Sequence, residues 1–196
     1  KNVAQILVLT ANNILEYIRL DLSEKAAEAE KLRKLDLAGH RSDVRTVSFS
    51  SDNTAIVSVS HESVKIWNRA TQTCIRTMES GYGLCSMFVP GDRHVIVGTK
   101  QGKLQIFDLG SSEMTEEVSA HDKEVWSICM SHDKRGFVTA SGDKTVKFWD
   151  FELLRSGEHD AKRLSVVHTR TLQLEEDALC VRLSPDGRLI AVSLLD

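Results

Sequence analysis

An all-β fold built from repeated four-stranded blades is predicted by three features of the chain. An aromatic-bearing strand recurs about every forty residues, a small residue and His precede two of its three copies at nearly equal distances, and turn signals stand at equivalent places. The recurring strand is Val64-Lys65-Ile66-Trp67-Asn68, then Leu104-Gln105-Ile106-Phe107-Asp108, then Val146-Lys147-Phe148-Trp149-Asp150. Its aromatics are 40 and then 42 residues apart, the period of a four-stranded propeller blade. Gly39-His40 and Ala120-His121 lie upstream of the first and third, with His-to-Trp separations of 27 and 28. The turn signals are Ser51-Asp52-Asn53, Pro90-Gly91-Asp92 and Ser184-Pro185-Asp186-Gly187.

The elements follow in order. Ile6 to Thr10 and Ile14 to Leu20 read as the second and third strands of a blade whose first strand is absent, so 1–39 forms a partial blade. Within it, Asp21 to Lys34 replaces alternation with Ala, Glu, Lys and Leu, all good helix formers. Asp21 with Glu24 resembles a capping box, and Glu30 with Lys34 has helical i,i+4 spacing. This polar insert 21–34 is expected as a short helix or a solvated loop.

Residues 40–80 form a blade that opens on the alternating stretch Val44 to Phe49. Residues 81–119 form a degenerate blade, and 120–174 a third that opens on Val125 to Met130. That third blade carries a polar insert, 155–163, read as a tolerated surface loop or a place for binding residues. Residues 175–196 begin a further blade and stop after Leu189 to Leu195. Three leading strands, three full blades and two trailing strands do not divide into blades of four, so the expectation is a propeller fragment with flanking blades missing.

These repeats resemble the WD40 β-propeller. In the third repeat His121, Thr139, Asp143 and Trp149 occupy the positions of that family's structural tetrad, which the resemblance implies is a buried hydrogen-bonded link. A catalytic reading of this hydroxyl, imidazole and carboxylate is weaker, because the four groups can satisfy one another. The first repeat keeps His40 and Trp67 as a partial tetrad but places Val57 and His61 where the third has Thr139 and Asp143. The second has Ser80, Val97, Gln101 and Phe107 there, so it depends on apolar packing.

Composition excludes several function classes. A net charge of −3 argues against a surface devoted to phosphate contacts. The best local candidate for RNA, Lys162-Arg163 with His168 and Arg170, lacks interleaved aromatics and reads more readily as a solvated strand edge. The 4 cysteines, Cys74, Cys85, Cys129 and Cys180, form no Cys-x-x-Cys unit and are read as free thiols. Histidines show no metal-ligand spacing, and neither a signal peptide nor an apolar run of membrane-spanning length is present. Gly98-Thr99-Lys100-Gln101-Gly102-Lys103 has three residues between its glycines where a phosphate loop needs four, and it reads as a turn. No cofactor, metal or small-molecule substrate is expected.

Several strings go beyond the general repeat, among them Gly39-His40-Arg41-Ser42-Asp43-Val44-Arg45, Cys74-Ile75-Arg76-Thr77-Met78 and Phe88-Val89-Pro90-Gly91-Asp92-Arg93. With Thr169-Arg170-Thr171-Leu172-Gln173-Leu174 and Leu189 to Asp196, they resemble the WD repeat-containing protein 3 family from about residue 32 onward. That resemblance implies a non-catalytic scaffold of the nucleolar small-subunit processome and its small nucleolar ribonucleoprotein, acting in ribosomal RNA processing. Implied partners are other WD-repeat processome proteins, with pre-ribosomal RNA or small nucleolar RNA reached through the assembly. Two rivals stand beside it: a substrate receptor or adaptor in a ubiquitin-ligase or chromatin complex, and an enzyme using the central channel.

Overall fold

The computed structural model describes residues 3–10, 14–22, 29–36, 38–156 and 161–195. Seventeen strands occur among them, and every ladder is antiparallel. The chain divides into two compact units, Lys1–Arg41 and Ser42–Asp196.

The first unit is one three-stranded sheet of β1 (Val3–Leu9), β2 (Ile14–Asp21) and β3 (Ala29–Asp36), in that order. The stretch 21–34, expected as helix or loop, is therefore strand at both of its described ends; residues 23–28, with Glu24 of the expected cap, lie outside the described residues. Helix propensity loses here to pairing. β2 presents an unfilled edge, and charges across the ladder are complementary, with Arg19 opposite Glu30. The Lys31 ammonium reaches the Glu16 carboxylate at 2.9 Å on the same pair of strands.

The second unit holds three four-stranded meanders and a pair. The first blade contains β4 (Thr46–Phe49), β5 (Ala55–Val59), β6 (Ser63–Asn68) and β7 (Thr73–Glu79). The second contains β8 (Gly83–Phe88), β9 (His94–Thr99), β10 (Lys103–Asp108) and β11 (Glu113–Ser119). The third contains β12 (Val125–Met130), β13 (Gly136–Ser141), β14 (Thr145–Ser156) and β15 (Ala161–Gln173), and β16 (Ala178–Leu183) pairs with β17 (Ile190–Leu194). The inner strands β4, β8, β12 and β16 adjoin in that order.

One irregularity repeats. The ladder between third and fourth strands shifts register at Ile66/Trp67, Ile106/Phe107 and Phe148/Trp149, always at the aromatic of the recurring strand. A β-bulge there sharpens the twist and splays the outer strand. The tight turns between first and second strands also repeat. The Ser50, Ser131 and Ser184 hydroxyls donate to Asp52, Asp133 and Asp186 two residues on, and each carboxylate accepts an amide beyond it. These bonds hold Asp52 at about 2, and they hold Asp133 and Asp186 below the usual carboxylate range as well.

Each pair of neighbouring blades shares its own apolar core. Val57, Val59 and Ile66 pack against Val95, Val97 and Phe107, whereas Ile96, Leu104 and Ile106 face Val125, Phe137 and Trp149. Val138 and Val146 meet Ala178 and Val181 in the next layer. Because each central sheet is covered on both faces, β9 reads as a nearly continuous apolar run, while its residues still alternate between the two cores.

The third blade departs from the others in length. β14 and β15 have 12 and 13 residues where β6 and β10 have 6 and β7 and β11 have 7. The insert 155–163, expected as a loop, is thus the far end of an extended hairpin: Arg155 pairs with Lys162 and Ser156 with Ala161. Its tip, residues 157–160, lies outside the described residues.

Candidate functional site

In the third blade the structure brings together His121, Thr139, Asp143 and Trp149. β13 carries Thr139, β14 carries Trp149, the β13–β14 turn carries Asp143, and His121 lies in the connection before β12. The Trp149 indole N–H donates to Thr139 Oγ1 at 2.9 Å, and Thr139 Oγ1 lies 2.7 Å from His121 Nε2. His121 Nδ1 is 2.9 Å from Asp143 Oδ2. The chain of donors is complete when the imidazole is neutral and protonated on Nδ1: Thr139 then gives its proton to Nε2, and Nδ1–H serves Asp143. Burial pushes the His121 pKa down, against the attraction of Asp143, which agrees with the neutral ring.

Asp143 completes the network. Its Oδ1 accepts the Thr145 amide at 3.0 Å and hydroxyl at 2.6 Å, and Oδ2 also accepts the Asp122 amide at 3.2 Å. Burial pushes this carboxyl up, but the Thr145 hydroxyl and His121 outweigh it, so the net shift is downward. Thr139 is 0% exposed and the His121 side chain likewise, so neither can touch a substrate.

The first blade solves the same problem differently. The Trp67 indole N–H donates to Ser58 Oγ at 2.8 Å, so Ser58, and not Val57, stands where Thr139 stands. The reason lies in hairpin length: Val59 pairs with Val64, whereas Ala140 pairs with Val146, so the β5–β6 hairpin is one residue shorter. Equal counting along the sequence therefore slips by one. His61 is not part of a network with Trp67; its ring packs 4.9 Å from Tyr82, and its amide is held by Ser42. His40 is partly buried at the end of the first unit.

In the second blade Phe107 and Val97 are fully buried without polar partners for their side chains, and the Gln105 amide takes over the fastening. Gln105 Oε1 accepts the Gly81 amide at 3.0 Å, while Nε2 donates to Glu117 at 2.8 Å. Gln101 stands in the β9–β10 turn, and the enclosed Ser80 hydroxyl has no hydrogen-bond partner among the described residues. Sequence reasoning missed Ser58 and Gln105; in register Ser58 stands where Thr139 does, and Gln105 pairs with Val97, which takes that place in the second blade.

Two exposed surfaces remain. On the side of the β5–β6 and β9–β10 turns, Tyr82 has the Arg45 guanidinium 5.8 Å and the Lys100 ammonium 5.4 Å from its ring centre. Beside it Trp126, the bulged residue of β12, is 40% exposed over a groove of about 530 Å³ bordered by Lys100, Asp122, Glu124 and Asp177. On the opposite side the β14–β15 hairpin extends past the body.

Other candidates disperse. Residues 100–102 form the expected turn, with Gly102 at φ 79°. Of the basic cluster, Arg163 lies 3.6 Å from Glu116 and His168 packs edge-on against Trp149, so these side chains do not form one cationic surface. Cys85 is buried, donates to the Val125 carbonyl, and has its thiol pushed up to about 12. No group of three or more metal-ligating side chains occurs among the described residues, nor any helix long and apolar enough to cross a membrane.

Comparison with known proteins gives this geometry a family. The human WD repeat-containing protein 3 is 55% identical over 188 residues, 96% of this chain and 20% of that protein. The WD repeat-containing protein 3 homolog of Dictyostelium discoideum is 43% identical over the whole chain, covering 21% of its own length. U3 small nucleolar RNA-associated protein 12 of Saccharomyces cerevisiae is 41% identical over 98% of the chain and 21% of its own length. The chain thus spans about a fifth of the length of these relatives. Residues 43–196 match the WDR3 second beta-propeller domain, and with three blades that repeat one register, the chain belongs to that family of WD-repeat β-propellers.

Proposed function

We propose that this protein is a non-catalytic scaffold in ribosome biogenesis, acting within the small-subunit processome in the nucleolus. One observation carries the reading: 41% identity across 98% of the chain to a protein named for association with U3 small nucleolar RNA. Two structural features support the scaffold half of it. The grouping of hydroxyl, imidazole and carboxylate that most resembles catalytic machinery is buried, with its donors and acceptors satisfied internally, and so serves the blade's structure. The half-buried Tyr82 between two cations and the exposed Trp126 over a mixed-charge groove suit contact with protein segments. Partners are other WD-repeat proteins of the assembly, with pre-ribosomal RNA held through the complex.

The test is affinity purification of the full-length protein from cells, with mass spectrometry of its partners and quantification of the bound RNA. Recovery of nucleolar WD-repeat proteins with pre-ribosomal RNA is expected. Recovery of a ubiquitin ligase or a chromatin complex, with no enrichment of pre-ribosomal RNA, overturns the reading.

A further inference from the structure

Of the hairpins between third and fourth strands in the three complete blades, β14–β15 alone outgrows its sheet, and its extra length encloses a groove. Gly136 opposite Asp150 is the last pair between β13 and β14, while β14 continues to Ser156. The Phe151 amide closes that ladder by donating to the Arg135 carbonyl at 2.9 Å. Because backbone groups alternate sides along an antiparallel strand, the Leu153 N–H and C=O point the same way as Phe151 N–H, past the end of β13. No strand of the described residues occupies that edge.

The side chains beside this edge are apolar and unevenly covered. Leu164 is 5% exposed and Val166 is 7% exposed, held against the body, whereas Leu153, directly opposite Leu164, is 61% exposed. Between the hairpin and the turns of two blades lies a groove of about 450 Å³, with Val89, Pro90, Phe151, Leu153 and Leu164 on its walls. Lys134 and Arg135 stand at its rim together with one carboxylate, Asp150; neither cation forms an ion pair among the described residues, so positive charge is in excess there. An open strand edge, an apolar trough and this excess of positive charge are complementary to an extended acidic-apolar peptide.

We propose that this groove docks an extended segment of a partner protein, in which branched apolar residues alternate with Asp or Glu, added as a strand to the open edge of β14. Its backbone pairs with Leu153, its apolar side chains cover the Leu153 and Phe151 side chains, and its carboxylates reach Lys134 and Arg135. RNA fits the two cations but not the apolar walls. The inference stands on the hairpin alone and does not depend on the assembly in which the protein works.

The experiment places a photocrosslinking amino acid at Leu153 of the full-length protein in cells, then sequences the crosslinked peptides. Leu153 is exposed, so the replacement leaves the cores intact; a melting curve of the purified variant verifies that. The expected product is one protein segment with alternating apolar and acidic residues, formed about tenfold less in an Arg135→Glu background, where a favourable charge contact becomes repulsive. In parallel, a fluorescein-labelled peptide of alternating Val and Glu should bind the purified protein by anisotropy, and its Val-Lys counterpart should not. Crosslinks to RNA, crosslinks to segments without acidic residues, or equal binding of the two peptides would overturn the proposal.

Discussion

The Asp92 carboxylate receives the Ser51 amide at 3.0 Å through each of its oxygens and also accepts the Ser51 hydroxyl, tying the turn of the first blade to that of the second. Asp92 stands in the one turn of the second unit that opens on Pro90-Gly91 and lacks the Ser-to-Asp bond of the others, so its carboxylate is free to reach across. Asp92→Ala should cost about 1 kcal/mol, the scale of a lost capping bond, measured by urea denaturation. An unchanged midpoint would show that the two turns hold without this link.

Removing the carboxylate of the third-blade network should cost more than removing the single indole bond of the first blade. Asp143→Ala removes the acceptor of the Thr145 hydroxyl and of the Thr145 and Asp122 amides and leaves His121 Nδ1 only the Thr145 hydroxyl at 3.1 Å, and a loss of about 2–3 kcal/mol is expected. Trp67→Phe removes the indole N–H bond to Ser58 and should cost about 1 kcal/mol beyond its change in packing. Equal losses would mean that the several bonds to Asp143 add nothing beyond one hydrogen bond.

The depressed pKa of His121 sets the sign of a pH dependence. The unfolded chain takes up a proton near 6.5 that the folded chain resists, so this contribution is complete above about 6.5 and is lost as pH falls through the lower folded value. Asp143, also depressed, adds a loss at more acidic pH, as protonation removes the acceptor. His94, depressed by burial, contributes in the same direction as His121. Stability measured by denaturant titration should therefore fall from pH 6.5 to 5, and His121→Phe should flatten that slope without abolishing it. A slope identical in the variant would place the titration elsewhere.

Gly102 tolerates no side chain. Its φ is 79°, and an added Cβ would lie 2.1 Å from the His121 carbonyl oxygen and 2.7 Å from that of Lys123, both backbone atoms. Its own carbonyl also accepts the Ala120 and His121 amides, so the turn positions the connection that carries the imidazole. Gly102→Ala should destabilise by about 3 kcal/mol or more, read as a lowered melting temperature.

The parts of the fold that were legible in the sequence are those set by local alternation and turn chemistry. Val64–Asn68, Leu104–Asp108 and Val146–Asp150 fall where strands β6, β10 and β14 lie, and Ser51, Pro90 and Ser184 open the turns β4–β5, β8–β9 and β16–β17. What stayed hidden depends on pairing. Residues 29–36 carry helix-forming side chains but lie along an unfilled edge of β2, a tertiary fact. The polar stretch 155–163 resembles a loop until Arg155 is set opposite Lys162. Ser58 escaped for a related reason: a hairpin one residue shorter breaks equal spacing, and only register restores the equivalence with Thr139.

The bulge before each outer strand has a consequence for how such a protein can diversify. Downstream of Phe148/Trp149 the β14–β15 ladder runs without another shift from Trp149–His168 to Ser156–Ala161. Pairs added at the far end of the hairpin therefore leave the twist and the buried network upstream unchanged. A lineage can lengthen this arm in steps of one residue on each strand, testing new surface while the older layers keep their packing. The turn-bearing side of the blade is accordingly its growing point, where novelty accumulates at little risk to the rest.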